Sequence, residues 1–522
     1  MSTEIPFAVL LTVTVLVTLV WVARPSRKHL PLPPGPRPYP IIGNLLDMPT
    51  RNLGPSLREL GHEYGDVVYL NICGQPTIVL NSYNSAATLL ESRSLNTSDR
   101  PRFVMAELTS YDWITGLKGY TQAWRQRRRA FHHTFQYSAI QHRRPILLRG
   151  CRRFLNRLLE NPENFLALAR HMFGATAMQI VYGVTISETA DRYISIAEKA
   201  MAVFNEITVP GRYIVELYPS LKAFPAWLPG MGFKRDAARW RVAVDALRDV
   251  PFKASTEALA RGEARDSMLG FLIENRGGEV AADLSTEEEE LLKDVTGLAY
   301  ITGADTTLSA LQIFFLLMVL NPRAQRKAQL ELDEVIGQDR LPDFSDQDSL
   351  PYVNAVVKEI LRWHTVIPLG IPHRTMEEDE WNGYRIPAGC VIIANLWAMS
   401  REPAAYPEPD QFIPERFLNH DNNGREMTTR DPERFQFGFG RRICPGRHFA
   451  NASLFITVAS VLHAFTIEAP IGDDGSPVQV ESAINRDHFL AYPKPFQCRI
   501  VPRSKRAEEV VKASDSMNTK SL

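Results

Sequence analysis

Phe437-Gly438-Phe439-Gly440-Arg441-Arg442-Ile443-Cys444-Pro445-Gly446 stands directly before the apolar run HFANASLFITVASVLHAF (His448–Phe465), and its reading decides the fold. Two glycines ahead of Cys444 and one behind it let the backbone pass close to a flat ligand. The apolar run opens a helix, and a sulfur at the positive end of a helix, near unpaired N–H groups, is favoured as a thiolate. A thiolate ligates metal, so Cys444 is the candidate ligand, and Arg442 can answer a carboxylate. A lone buried cysteine is ordinarily inert packing; the glycine and arginine setting lifts Cys444 out of that class.

Three further patterns lie upstream. Ser285 with Glu288 makes a capping box, and an apolar helix then runs through LLKDVTGLAYITGADTTLSALQIFFLLMVL until Asn321-Pro322 ends it. At 1.5 Å per residue it spans roughly 50 Å, so its middle must be buried. Within it, Thr302-Gly303-Ala304-Asp305-Thr306-Thr307 lowers helix propensity, and threonine hydroxyls can bend a helix by bonding carbonyls one turn back. Read alone, this is a packing notch. Glu359 and Arg362 in YVNAVVKEILRWH face one way at i,i+3, worth a few tenths of a kcal/mol if solvated. Trp124 and Arg128, at i,i+4, can reach one carboxylate.

These residues resemble the cytochrome P-450 superfamily. Phe437, Gly440, Arg442, Cys444 and Gly446 match its haem-binding signature F-x-x-G-x-R-x-C-x-G without a gap, and the other three patterns follow in that family's order and rough spacing. The resemblance covers nearly the whole chain; Thr302, where the family's helix motif has a small residue, departs from it. It implies a mainly α fold with small β-sheets, the haem-thiolate monooxygenase fold. It implies haem b (iron protoporphyrin IX) with Cys444 on the iron, Phe437 and Gly446 beside it, and Trp124, Arg128, His373 and Arg442 around the two carboxylates. Arg416 would lock onto Glu359 and Arg362, and if that set is buried, losing one partner costs about 3–5 kcal/mol. Thr306 would hydrogen-bond bound oxygen while Asp305 feeds protons through water. The implied reaction places one oxygen atom of O2 on a hydrophobic small molecule, by C–H hydroxylation or epoxidation, with the thiolate favouring O–O cleavage. Two alternatives stay open: an oxygen-independent haem-thiolate isomerase or dehydratase, against which Asp305 and Thr306 speak, and a haem-binding membrane protein without catalysis.

The wider composition sets location and partners. The 522 residues are 45% hydrophobic and 23% charged, enough core to hide a bulky cofactor. Lys+Arg and Asp+Glu balance at 59 each, so no nucleic-acid partner is indicated. The five scattered cysteines form no C-x-x-C pair, which argues for a reducing compartment. Ile5–Ala23 runs without a charge, long enough to span a bilayer, and is followed by Arg24, Arg27 and Lys28. The basic residues lie on the wrong side for a cleaved signal peptide. The chain thus divides into an anchor (1–24), a Pro-rich hinge (25–44), a catalytic domain (45–503) and a polar, frayed tail (504–522). The expected location is the endoplasmic reticulum membrane, single-pass, in contact with lipid, with the catalytic domain in the cytosol. That topology makes the sequons at Asn96 and Asn451 chance. Strands are predicted at 67–72 and 77–80 around a Gly74-Gln75-Pro76 turn, and over 383–393.

Between Asp112 and Glu160 there is no acid, while Lys118, Arg125, Arg127, Arg128, Arg129, Arg143, Arg144, Arg149, Arg152 and Arg153 crowd the interval. Such a face suits an acidic electron donor. The chain carries no G-x-G-x-x-G fingerprint, so electrons come from outside. For anchored members of the family the resemblance implies an NADPH-dependent diflavin reductase, with NADPH acting only indirectly. It also implies a pocket lined by Phe103–Leu117 (Tyr111, Trp113, Ile114), Leu298–Thr302, Val366–Ile371 and the stretch near Phe489. These are largely apolar, which fits a hydrophobic substrate drawn from the membrane. The run Tyr218–Lys234 and Pro372-His373-Arg374 resemble fungal members associated with secondary metabolism, such as terpenoid or polyketide biosynthesis.

Overall fold

Apolar side chains at helical spacing build most of the chain into helices. The computed structural model describes residues 30–187, 191–276, 284–418 and 429–516. The anchor expected over 1–24 lies outside them. The longer helices are α1 (Leu53–Tyr64), α2 (Gln122–Phe135), α3 (Tyr137–Glu160), α4 (Phe165–Tyr182), α5 (Arg192–Ile207), α6 (Gly232–Ala260), α7 (Thr286–Leu320), α8 (Pro322–Val335), α9 (Pro351–Trp363), α10 (Arg447–Ala464) and α11 (Lys505–Ser516). The strands are β1 (Val67–Ile72), β2 (Gln75–Leu80), β3 (His373–Arg374), β4 (Asp379–Trp381), β5 (Tyr384–Ile386), β6 (Val391–Ala394), β7 (Phe465–Glu468), β8 (Ile484–Asn485), β9 (Tyr492–Pro493) and β10 (Arg499–Pro502). This is the mainly helical architecture with small sheets that the resemblance implies.

Helix α7 is the axle. Its capping box is present: the Ser285 hydroxyl accepts from the Glu288 amide at 3.4 Å, and the Glu288 carboxylate accepts from the Ser285 amide at 3.1 Å. Although long and apolar enough to cross a membrane, α7 is mostly buried inside the protein. Its first half, Leu291–Ile301, joins a core with Tyr111, Trp113, Phe204 and Phe449, and its second half, Leu308–Met318, joins another with Phe165, Val353 and Phe455. Side chains such as Phe314 and Phe315 are fully buried, each worth about 1.5–3 kcal/mol. The Thr302–Thr307 stretch falls at the junction of the two cores.

The largest sheet has the order β1-β2-β6-β3, with β2 and β6 parallel and the other pairs antiparallel. Its hairpin corrects one expectation. Ile72 pairs with Gln75, so the turn is Cys73-Gly74, both at positive φ (49° and 87°), as hairpin twist demands. Gln75 and Pro76 belong to β2. The Pro-rich segment is docked from residue 30 onward, since the Pro31 and Pro34 carbonyls accept from Arg385 and Tyr69 amides, both at 2.8 Å. The tail expected to fray instead forms α11 over Lys505–Ser516. Val510 and Val511 are buried, and Asn156 Nδ2 donates to the Val511 carbonyl at 3.0 Å. Ala507, Val510, Val511 and Ser514 share one helical face, a period too short to stand out beside the surrounding charge.

Candidate active site

The loop bearing Cys444 depends on glycine backbone. Gly438 (φ 75°) and Gly440 (φ 53°) are left-handed, and a Cβ on Gly440 would meet the Leu90 carbonyl oxygen at 2.2 Å, so no other residue fits there. Phe439 is buried, its ring 6.3 Å from that of Tyr83, while Phe437 packs against the core that holds α10. The Cys444 amide donates to the Phe437 carbonyl at 2.7 Å. A side chain on Gly446 would begin 3.9 Å from the Cys444 Sγ. Burial pushes the Cys444 thiol up; the Gly446 amide, the Arg128 and Arg447 guanidiniums and the Arg447 amide pull it back toward thiolate. The five cysteines form no disulfide.

Arg128 is tied to the cysteine loop: its Nη2 donates to the Ile443 carbonyl at 2.6 Å, and its charge acts on the Cys444 sulfur. A donor cluster does form nearby. Arg442 donates Nε to Ser98 O (2.7 Å) and Nη2 to Lys118 O (2.8 Å), with a weaker Nη1 contact to Thr115 O (3.5 Å). Its guanidinium lies 4.2 Å from the centre of the buried Trp124 ring. Arg100 donates to the carbonyls of Gly116, Ile371 and Pro372 at 2.7–2.9 Å. His373, placed by β3, bonds the Thr97 carbonyl through Nδ1 at 2.8 Å. That tautomer leaves Nε2 a donor only when the ring is doubly protonated.

This cluster is short of negative charge. Arg100 and Arg442 have no carboxylate within ion-pair distance among the described residues. Asp99, the acid whose charge reaches both, accepts from the Tyr120 amide (2.9 Å) and lies 3.8 Å from Arg374. Burial, with Arg128 adding repulsion, presses Arg442 down to about 10. Burial first and then the Arg100 charge hold His373 neutral. Buried like charges are costly without a counter-ion, so an anionic group fits here. Arg100 escaped the sequence reading because Asp99-Arg100-Pro101-Arg102 resembles ordinary surface charge; its place just before the Phe103–Leu117 pocket segment was the one available signal.

Along α7, every residue from Leu291 to Met318 is buried except Lys293, Thr302, Gly303 and Thr306. Thr302 and Thr306 donate their hydroxyls one turn back, to Leu298 O and Thr302 O, each at 2.7 Å. A Cβ on Gly303 would stand 3.6 Å from the Phe449 ring, so this notch faces α10 just beyond Cys444. Asp305 is 9% exposed, and its carboxyl makes no hydrogen bond with the described residues. Burial pushes it up to about 6, with Arg170 opposing and Glu198 adding to the rise. Arg170 (α4) and Glu198 (α5) are themselves paired at 2.8 Å and partly exposed.

The expected pocket segments converge. Tyr111, Trp113, Ile114, Leu117, Leu298 and Ile301 share one core, with Phe103, Val366, Ile371 and Phe489 packed against it. Phe204 bridges Tyr111 (ring centres 5.4 Å apart) and Phe489 (5.2 Å), both edge to face. Elsewhere Glu359, Arg362 and Arg416 are brought together at 0%, 0% and 4% exposure. Arg362 grips Glu359 through Nε (2.8 Å) and Nη2 (2.7 Å); Arg416 Nε (3.3 Å) and the Ile413 amide (2.8 Å) donate to the same carboxylate. The remaining guanidinium N–H groups bond the carbonyls of Ser400, Pro407, Glu408, Pro409 and Gln411. Of the basic run, Arg125, Arg129, Arg149 and Arg153 are exposed, whereas Arg127 turns inward to Asp294 at 2.8 Å.

Cys444 wants a metal, and the buried Arg100 and Arg442 pair wants carboxylates; an iron porphyrin with two propionates supplies both. The residues present therefore define a haem-thiolate protein. Comparison with known proteins agrees: the cytochrome P450 family model matches residues 33–499, and the chain belongs to that family. It is 41% identical over 473 residues to cytochrome P450 monooxygenase COX2 of Coprinopsis cinerea, covering 90% of this chain and 89% of that protein. It is 38% identical over 504 residues to cytochrome P450 monooxygenase ple1 of Rhodocybe pseudopiperita (96% and 95%). Over 511 residues it is 35% identical to tryptamine 4-monooxygenase of Psilocybe cyanescens (97% and 99%). These relatives are fungal. The chain is accordingly a haem monooxygenase, an oxidoreductase that incorporates oxygen from O2 into a small molecule with electrons from a reductase.

Proposed function

We propose that this enzyme hydroxylates or epoxidises a hydrophobic small molecule of fungal secondary metabolism, a terpenoid or polyketide skeleton fitting best, with electrons from an NADPH-dependent diflavin reductase. The observation that carries the reading is the notch in α7: Thr302, Gly303 and Thr306 stay open in an otherwise buried helix, beside an acid held near neutrality. Cys444 would ligate the iron, with Phe437 and Gly446 next to it. Arg100, Trp124 and Arg442 would hold the propionates, joined by His373 once it takes up a second proton at Nε2, and Arg128 would steady the cysteine loop. Bound there, haem would supply redox iron chemistry, and the Cys444 thiolate as its ligand would favour O–O cleavage.

The remaining work falls to the chain. The Thr306 hydroxyl spends its proton on the Thr302 carbonyl, so it meets the cleft as an acceptor and donates only after rotating. Near pH 6 the Asp305 carboxyl is about half protonated, poised to take a proton from the Arg170–Glu198 side and pass it through water toward Thr306. The aromatic wall of Tyr111, Phe204 and Phe489 excludes bulk water and orients an apolar substrate. The exposed arginines of α2 and α3 would face the acidic surface of the reductase. The uncharged run Ile5–Ala23 would hold the body on the cytosolic face of the endoplasmic reticulum.

Purified holoprotein with reductase, NADPH and isotopically heavy O2, challenged with terpenoid and polyketide candidates, tests this by mass spectrometry. One heavy oxygen per product is expected. A rearranged or dehydrated product without label would establish an isomerase or dehydratase instead. A ferrous carbon-monoxide complex whose red-shifted Soret band survives Cys444→Ser would remove Cys444 as ligand.

A further inference from the structure

One buried polar set beside the notch has no part in the proposed chemistry. Ser309 lies three residues past Thr306 on α7, His364 is the first residue after α9, and Ala491 sits between β8 and β9; all three are buried. The Ser309 hydroxyl donates to the Ala491 carbonyl at 2.6 Å and lies 2.9 Å from His364 Nε2. A hydroxyl has one proton, so with Ala491 as its acceptor the second bond must come from the imidazole N–H. The Ala491 amide donates in turn to the Val366 carbonyl at 2.9 Å. The peptide unit at 491 is thus gripped from α7 on one side and from the Val366–Ile371 pocket segment on the other.

What hangs from this grip is the pocket wall. Strands β8 and β9 pair over two residues only, Ile484 with Pro493 and Asn485 with Tyr492, so no ladder fixes the intervening loop. Phe489, two residues before Ala491, meets the Phe204 ring, and Tyr492, one residue after, lies in the field of Asp305. Burial, with Arg486 and Arg401 adding repulsion, keeps His364 neutral, down to about 3, and the Nε2–H that Ser309 accepts is present in either protonation state. Fully satisfied buried polar sets specify one arrangement where apolar packing tolerates several.

We propose that Ser309 and His364 are positioning residues which, by holding the Ala491 peptide, fix where Phe489 stands and so determine which part of a hydrophobic ligand faces the cofactor. This rests on the haem-thiolate reading above. Ferric holoprotein titrated with imidazole and with 4-phenylimidazole, followed by the Soret shift, tests it without the natural substrate. The small ligand reports on the iron alone, the aryl ligand on the wall as well. Ser309→Ala and His364→Leu, compared at equal haem content, should weaken 4-phenylimidazole about fivefold, the worth of one hydrogen bond, and leave imidazole within about twofold. His364→Gln, which keeps an N–H donor, should recover most of the loss. Unchanged affinity for both ligands, or a parallel change in both, would overturn the assignment. No Soret shift in the unaltered protein would sink the haem reading itself.

Discussion

Replacing Glu359 with glutamine removes the one negative charge from a cluster that is otherwise two guanidiniums. Arg362 and Arg416 are 0% and 4% exposed, and the Glu359 carboxylate takes two N–H groups from Arg362, one from Arg416 and the amide of Ile413. Glutamine keeps one acceptor oxygen but turns an NH2 toward a guanidinium, donor against donor. Breaking a buried pair this way costs about 3–5 kcal/mol. Because Arg362 retains the carbonyls of Ser400, Pro409 and Gln411, the lower figure of about 3 kcal/mol applies. Chain length decides the assay. At about 2.1 cal/mol/K per residue, 522 residues carry an unfolding entropy near 1.1 kcal/mol/K, so the melting point falls only about 3 °C. Local opening is the sharper readout: at 1.4 kcal/mol per decade, hydrogen-exchange protection at the Ile413 amide should drop about 100-fold, along with haem retention. A Glu359→Gln protein that melts within a degree of the original and keeps that protection would refute the reasoning.

Thr306→Ala should keep its haem and carbon-monoxide spectrum yet lose product relative to NADPH consumed by about tenfold or more, the balance appearing as peroxide. Product formed per NADPH should decline as pH rises through about 6, where Asp305 loses its proton. Asp305→Asn should abolish that inflection; Arg170→Ala should move it upward, because Arg170 pulls the carboxyl down, and Glu198→Gln should move it downward. Since folding raises this carboxyl from 3.8 to about 6, its stabilising contribution is full below about pH 4 and lost as pH rises through 6. Relative to the original protein, Asp305→Asn should therefore gain up to about 3 kcal/mol above pH 6, measured by denaturant midpoints. Arg100→Gln should lower the haem-to-protein absorbance ratio, because it withdraws one of the two buried cations that would face the propionates.

What could be read from the sequence was whatever the chemistry writes locally. The Cys444 loop, the cap of the long helix, its threonine notch and the Glu359–Arg362 pair each declare themselves within ten residues. Contacts made across the fold gave little signal, even for a residue already singled out: Arg128 meets Ile443 from 315 positions away, and Ser309 meets Ala491 from 182. The hairpin was misplaced because Gly74-Gln75-Pro76 reads as a turn by composition. Strand twist instead demanded two left-handed residues, and pairing with β6 begins only at Thr77, beyond the proline. Helix α11 was masked by its charges, since its apolar stripe is only a few side chains wide.

Arg362 and Arg416 hold the stretch from Ser400 to Gln411 by its main-chain oxygens. A grip of that kind is indifferent to residue identity. The exposed positions Pro403, Ala404 and Pro407 are therefore free to drift, whereas the two arginines are not, nor is Asp410, whose carboxylate lies 3.4 Å from buried Arg401. Over evolutionary time this patch of surface can acquire new contacts while the ground beneath the cysteine loop stays still, and substitutions at those three positions, Pro403→Ala, Ala404→Ser and Pro407→Ala, that left haem content untouched would be the laboratory version of that history.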